Sequence, residues 1–265
     1  MKSAGRLVSA LFIILMVSVL SGCTTRRLDD RVDDKMTTEK TEQQRRATIR
    51  MQLAISYYQQ GQSKFALDEV RQALVSAPDM ADAYALRALI FMDTGENQLA
   101  DENFQYAMKL APANTDYVNN YGWFLCQTGR EKQGLLYLER VVKDPSYATP
   151  AKALNNAGLC TLRLHDTARA EKYFMDGFKA DPGNPGVNAN LAKIYFDRGD
   201  LKLAQFYINR VLKEDVLTAD VLWLAIRIEK RVGDEAAASS FSAQLGKRYP
   251  NSREFGLLQR GLFDE

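Results

Sequence analysis

Histidine is almost missing from this chain of 265 residues: His165 is the single one, beside three cysteines and two tryptophans. One imidazole cannot build a His-based metal cage, and no Ser-His-Asp set can be assembled around it. His165 falls at a turn between two helical segments, where a solvated turn residue is expected. No glycine-rich phosphate loop precedes a helix anywhere in the chain. Nothing singles out a pair of carboxylates, so the sequence is that of a protein without enzymatic apparatus, cofactor or metal. Charge of one sign is also lacking. The formal net charge is +2, and Lys2 and Arg6 would leave with residues 1–22, so that the 35 basic residues would fall to match the 33 acidic ones. There is no basic stripe with interleaved aromatics, which removes nucleic acid from the expected partners.

Long hydrophobic runs are lacking too, with one exception at the N-terminus. Lys2 and Arg6 precede an apolar run from Leu7 to Leu20 that is interrupted only by serines and ends at Ser21-Gly22-Cys23. The run has the length of a signal-peptide core and is short of the roughly 20 residues a membrane helix needs. Its ending resembles a bacterial lipobox. That resemblance implies a signal peptide over residues 1–22, cleavage after Gly22, and acylation of Cys23 by chains of the palmitate type, which would hold the protein on a membrane. Thr24 and Thr25, with no Asp beside the cysteine, imply by the same resemblance sorting to the outer membrane, on its periplasmic face. Residues 23–46 are polar and charged, with Leu28, Val32 and Met36 as the clear apolar residues. Such composition predicts a flexible tether, whose last third from Glu39 to Arg46 could begin the first helix.

What the chain does have is a 34-residue period. In residues 47–80, Leu53, Ala54, Tyr57, Gly61, Ala66, Val70, Ala73 and Pro78 hold positions 7, 8, 11, 15, 20, 24, 27 and 32, and from position 8 onward residues 81–114 answer with Ala88, Phe91, Gly95, Ala100, Phe104, Ala107 and Pro112. Further copies occupy 115–148, 151–184, 185–218 and 219–252, with Thr149 and Pro150 inserted before the fourth. Small residues at positions 8, 20 and 27 let two helices approach, and large ones at 11 and 24 fill the space between them. Glycine at position 15 suits a left-handed helix end, and proline near 32 blocks continuation. Val216 stands where the fifth copy should carry that proline, and Glu229 replaces the aromatic of the sixth. The pattern is that of the tetratricopeptide repeat. The fold class expected is therefore all-α, a right-handed α-solenoid of six repeats, with residues 253–265 as a capping helix carried by Phe255, Leu258 and Leu262.

Cys126 and Cys160 fall in the first helices of repeats 3 and 4, which pack side by side. In the oxidising compartment that a lipoprotein enters, a disulfide between them is expected; the alternative is two buried free thiols, since their positions within the repeat differ by two. Around them, Asn119-Asn120-Tyr121-Gly122-Trp123-Phe124-Leu125-Cys126 is echoed by Asn155-Asn156-Ala157-Gly158-Leu159-Cys160, and Asn190 recurs at the matching place in repeat 5. With a lipobox before six repeats, this arrangement resembles the type IV pilus biogenesis and stability lipoproteins (PilF/PilW). The resemblance implies a pilotin, a protein that binds subunits of the secretin ring and promotes their localisation and multimerisation. The alternative is an envelope adaptor for another outer-membrane assembly or a peptidoglycan enzyme. A monomer is expected.

In such a stack the inner groove is lined by positions 2, 5, 9 and 12 of each first helix. These predict a partner-binding groove containing Met51, Ile55, Tyr58, Leu89, Met92, Asn119, Trp123, Asn155, Leu159, Lys193 and Phe196. The first two repeats offer an apolar, Met-containing face suited to an amphipathic helix or an extended peptide, or else to the chain's own N-terminal segment. The middle repeats mix Asn and Trp. There, bonding to a peptide backbone stands against plain solvated helix surface.

Overall fold

A computed structural model describes residues 29–214 and 217–263, with side chains from residue 38 onward. The signal segment, Cys23, Val216 and residues 264–265 lie outside it. The described residues form thirteen helices and no strand: α1 Asp29–Gln59, α2 Ser63–Ser76, α3 Ala81–Asp93, α4 Asn97–Leu110, α5 Thr115–Gln127, α6 Glu131–Val142, α7 Pro150–Arg163, α8 Thr167–Ala180, α9 Pro185–Arg198, α10 Leu201–Lys213, α11 Ala219–Val232, α12 Glu235–Arg248 and α13 Arg253–Arg260. This is an all-α tetratricopeptide solenoid. The chain divides into two compact units, one up to Leu86 and the other from Arg87.

The repeat period translates directly into burial. At position 20, Ala66, Ala100, Ala170 and Ala204 have no exposed surface, and Gly134 is buried where the third repeat replaces alanine. At position 24, Val70, Phe104, Leu138, Phe174 and Ile208 are likewise fully covered. Glycine at position 8 receives that large side chain: the Cγ of Leu138 lies 2.9 Å from where a Cβ would stand on Gly122, and the ring of Phe174 fills the corresponding space at Gly158. The turns between paired helices share one device. Gly61, Gly95, Gly129, Gly199 and Gly233 all have φ between 71° and 92°, and His165 adopts the same left-handed geometry at φ 61°. A side chain there is strained, so His165 is a turn residue held by its neighbours.

Two boundaries differ from expectation. The flexible tether over 23–46 is instead helical from Asp29, continuous with the first repeat helix to Gln59. No Gly or Pro interrupts this stretch, and its Glu, Lys, Gln and Arg residues are good helix formers, so the helix propagates outward from the packed turns at Ala47, Met51 and Ala54. At the other end the capping helix stops at Arg260. Gly261, at φ 68°, ends it, and the amide of Leu262 donates to the Leu257 carbonyl at 3.1 Å. This turns the chain back onto α11.

In the first unit α1 packs on α2, with Ala54, Ala66, Val70 and Ala73 fully buried, and an Arg50–Glu69 ion pair at 2.9 Å ties the two together. In the second unit, carboxylates of second helices reach an Arg and a Tyr of the following repeat. Asp101 accepts from Tyr121 Oη at 2.7 Å and from Arg130 at 3.1 Å. Burial and the Asp101 hydrogen bond push the Tyr121 hydroxyl up to about 12. Glu171 holds Arg198, whose guanidinium lies over Tyr195, in the same manner.

Candidate partner-binding faces

Each first helix buries one stripe against its own second helix and another against the next repeat, so what remains open depends on the neighbour. In the first unit Met51 is only 5% exposed. Its assignment to the groove is thus corrected, because the side chain is core. Ile55 is exposed and Tyr58 half-buried. The opposite flank of α1, absent from the expectation, carries Ile49 at 47% and Leu53 at 41% exposure. With Arg46, Arg50, Gln72 and Ser76 they line an open cleft of about 530 Å³. Phe65 and Val75 of α2 are exposed as well. The Ile49/Leu53 spacing of four residues, flanked by Arg46 and Arg50, was the signal that could have shown this face.

In the second unit Leu89 and Met92 are half-buried against the core of Ala88, Phe104 and Phe124. Trp123 and Leu159 are half-buried too, Trp123 beside the two cysteines. Asn119 has no exposed surface, which corrects its place among groove residues. Its Oδ1 accepts from Asn156 Nδ2 at 3.2 Å, while Asn155 Oδ1 accepts from Asn190 Nδ2 at 3.0 Å. The asparagines form a ladder across the first helices of repeats 3, 4 and 5. Asn155, Asn156 and Asn190 remain half-buried, so of these asparagines it is Asn119 that the structure removes from the groove. Cys126 and Cys160, both fully buried, have Cα atoms 5.5 Å apart and are joined as a disulfide.

Lys193 is exposed and pairs with Asp197 at 2.9 Å. Phe196 is 3% exposed and is likewise corrected to core, because the guanidinium groups of Arg227 and Arg231 lie 4.8 and 5.4 Å from its ring centre. Extending the same spacing to repeat 6 leads to Trp223, Arg227 and Lys230, which the expectation omitted. Glu229 is 3% exposed and accepts from Gln205 Nε2 at 2.9 Å. Burial, reinforced by Asp234, raises its carboxyl above the ordinary carboxylate value although the Gln205 bond opposes this. Among the described residues no group of three His, Cys, Asp or Glu side chains could hold a metal, and no helix is long and apolar enough to cross a membrane.

Stacked helix pairs with buried small residues at position 20 and large ones at position 24 define a tetratricopeptide-repeat protein. The tetratricopeptide repeat family patterns match residues 51–115 and 162–225. The type IV pilus assembly protein PilF of Pseudomonas aeruginosa is 29% identical over 248 residues, covering 94% of this chain and 96% of that protein. The crystal structure of PilW, a widely conserved type IV pilus biogenesis factor, is 32% identical and aligns at a TM-score of 0.67 over 80% of this chain and 98% of that one. The solved Pseudomonas aeruginosa PilF aligns at 0.68 with 28% identity, over 83% of this chain and 99% of its own. The chain belongs to this type IV pilus biogenesis family of tetratricopeptide-repeat proteins.

Proposed function

We propose that this protein is a lipid-anchored docking module of the pilotin kind. Acylated Cys23 holds it at the periplasmic face of the outer membrane, and its repeats capture secretin subunits and promote their localisation and multimerisation for pilus assembly and stability. The observation that carries this reading is the exposure of Ile49, Leu53 and Ile55 on one helix of a family member, where folding alone would favour polar residues. Such a helix suits an amphipathic segment from a partner, which gains by removing this surface from water.

Two variants test it. Cys23→Ala is expected to leave the repeats folded while secretin multimers disappear from the outer-membrane fraction. Leu53→Glu with Ile49→Glu is expected to keep the protein at the membrane but to lose secretin in a pull-down. Normal secretin multimers in cells where Cys23→Ala has released the protein from the membrane would overturn the reading. Co-purification with another outer-membrane assembly or a peptidoglycan enzyme, in place of secretin, would favour the adaptor alternative.

A further inference from the structure

The segment after α13 lies against the first helix of repeat 6. After Gly261 reverses the chain, the ring of Phe263 stacks on Trp223 with centroids 5.6 Å apart and planes 23° from parallel. Arg227 Nε donates to the Phe263 carbonyl at 2.7 Å, and Lys230 Nζ stands 4.6 Å from the centre of the same ring. Trp223, Arg227 and Lys230 occupy positions 5, 9 and 12 of their repeat, the ones that face a ligand in such a stack. A ring clasped between an indole and an ammonium, with its carbonyl held by a guanidinium, is how a foreign aromatic residue in an extended peptide would be gripped. The charge recorded around the ring is mainly cationic: Lys230 lies over Phe263, and Arg227 and Arg231 both lie against Phe196, while Glu235, whose side chain is 74% exposed, stands 3.5 Å from Lys230.

We propose that the inner face of repeat 6 is a receptor for an extended segment presenting an aromatic residue followed by carboxylates, and that Leu262–Phe263 masks it in cis. A partner segment of that kind displaces the tail and takes over the Trp223 stack, the Arg227 hydrogen bond and the Lys230 contact. The site is independent of the secretin reading, since it is defined by the chemistry of its occupant and the test below reads no pilus phenotype.

The full chain with Trp123→Phe leaves Trp223 as the sole indole, and the probe is a synthetic peptide copying residues 256–265. With the tail intact, weak binding is expected. Phe263→Ala should shift Trp223 emission to the red, and the peptide should reverse that shift with a dissociation constant about tenfold or more below that of the intact chain, because the competing cis occupant is gone. Adding Arg227→Ala, or replacing the peptide's two terminal acids with lysines, should each weaken binding by roughly tenfold. Phe263→Leu, which keeps an apolar contact on the Leu257 cluster, gives the same order of affinities if Phe263→Ala unfolds repeat 6. Equal affinity for the intact chain and both Phe263 variants overturns the proposal. So does a peptide whose phenylalanine can be replaced by alanine without loss.

Discussion

Gly134→Ala sets two well-measured effects against each other. In an exposed helix the change stabilises by about 1 kcal/mol, because alanine restricts the unfolded chain and glycine does not. At position 134 the structure reverses the sign. A Cβ built there would lie 2.5 Å from Cys126 Sγ, 2.5 Å from the Gly122 carbonyl oxygen and 2.9 Å from the Cys126 amide. Two of these three are backbone atoms of the facing helix, so the relief must come from moving α6 away from α5. Overpacking of this kind costs about 1–3 kcal/mol. The upper part of that range applies, since contact near 3.5 Å would require a shift of roughly 1 Å in a densely packed interior. Set against the propensity gain, the net loss is about 1–2 kcal/mol. The fall in melting temperature should then be roughly 2–8 °C for a chain of this size. Gly256→Ala is the control, since nothing lies within 4 Å of its Cβ position in α13 and its φ is helical. It should raise stability or leave it unchanged. The assay is thermal and urea unfolding followed by circular dichroism, with free thiols titrated so that a failure to form the disulfide is detected. If Gly134→Ala melts at or above the wild-type temperature with the disulfide intact, the claim that this glycine exists for close approach is wrong.

Replacing His165 by Gly should stabilise by about 1 kcal/mol, because the left-handed backbone at φ 61° then carries no Cβ; unchanged urea midpoints would refute this. Cys126→Ala with Cys160→Ala should cost about 3–4 kcal/mol, the loop-closure value for a separation of 34 residues. A reducing agent should lower the wild-type midpoint and leave the double variant's unchanged. Glu229→Gln should stabilise at neutral pH. The folded carboxyl titrates above its unfolded value of 4.5, so its burial penalty is present at neutral pH and is relieved as pH falls through the folded value towards 4.5. The wild type should therefore gain stability relative to Glu229→Gln over that window, and parallel pH profiles would argue against the assignment.

The repeat frame was legible because its rules are local. Small residues at 8 and 20 and glycine at 15 act within one helix pair, and the structure buries or turns them accordingly. Legibility failed where a residue's fate belongs to the next repeat. Phe196 sits at a position that faces outward within a single pair, yet Arg227 and Arg231 of the next repeat close over it. Asn119 looks like a ligand-facing polar residue until Asn156 reaches it. The two-residue insertion before repeat 4 hid a further relation. Cys126 and Cys160 stand 34 residues apart in the chain, one full period, although counting from each repeat's start puts them two positions out of step. The start of α1 was missed for another reason: a polar, charged composition describes both a coil and a solvated helix, and only attachment to a packed turn decides between them.

The distribution of these ties bears on which repeats move. Within the second unit, the Asp101 and Glu171 clusters, the asparagine ladder and the disulfide all join consecutive repeats from 2 to 5. Each cross-link opposes the relative motion of neighbouring repeats. In a solenoid, stability is set by such nearest-neighbour interfaces, so these repeats should be the last to open. Open apolar side chains occur in the first unit, at Ile49, Leu53 and Phe65, and also on the middle repeats, at Leu136 and Phe206, so the ties limit motion there without removing apolar surface. Hydrogen exchange gives a direct check. Amides of α5, α7 and α9 should exchange most slowly in the oxidised chain, and reduction of Cys126–Cys160 should accelerate α5 and α7 while leaving α1 and α11 unchanged. Uniform acceleration along the chain would mean that the repeats open as one unit, and the assignment of a rigid middle would fail.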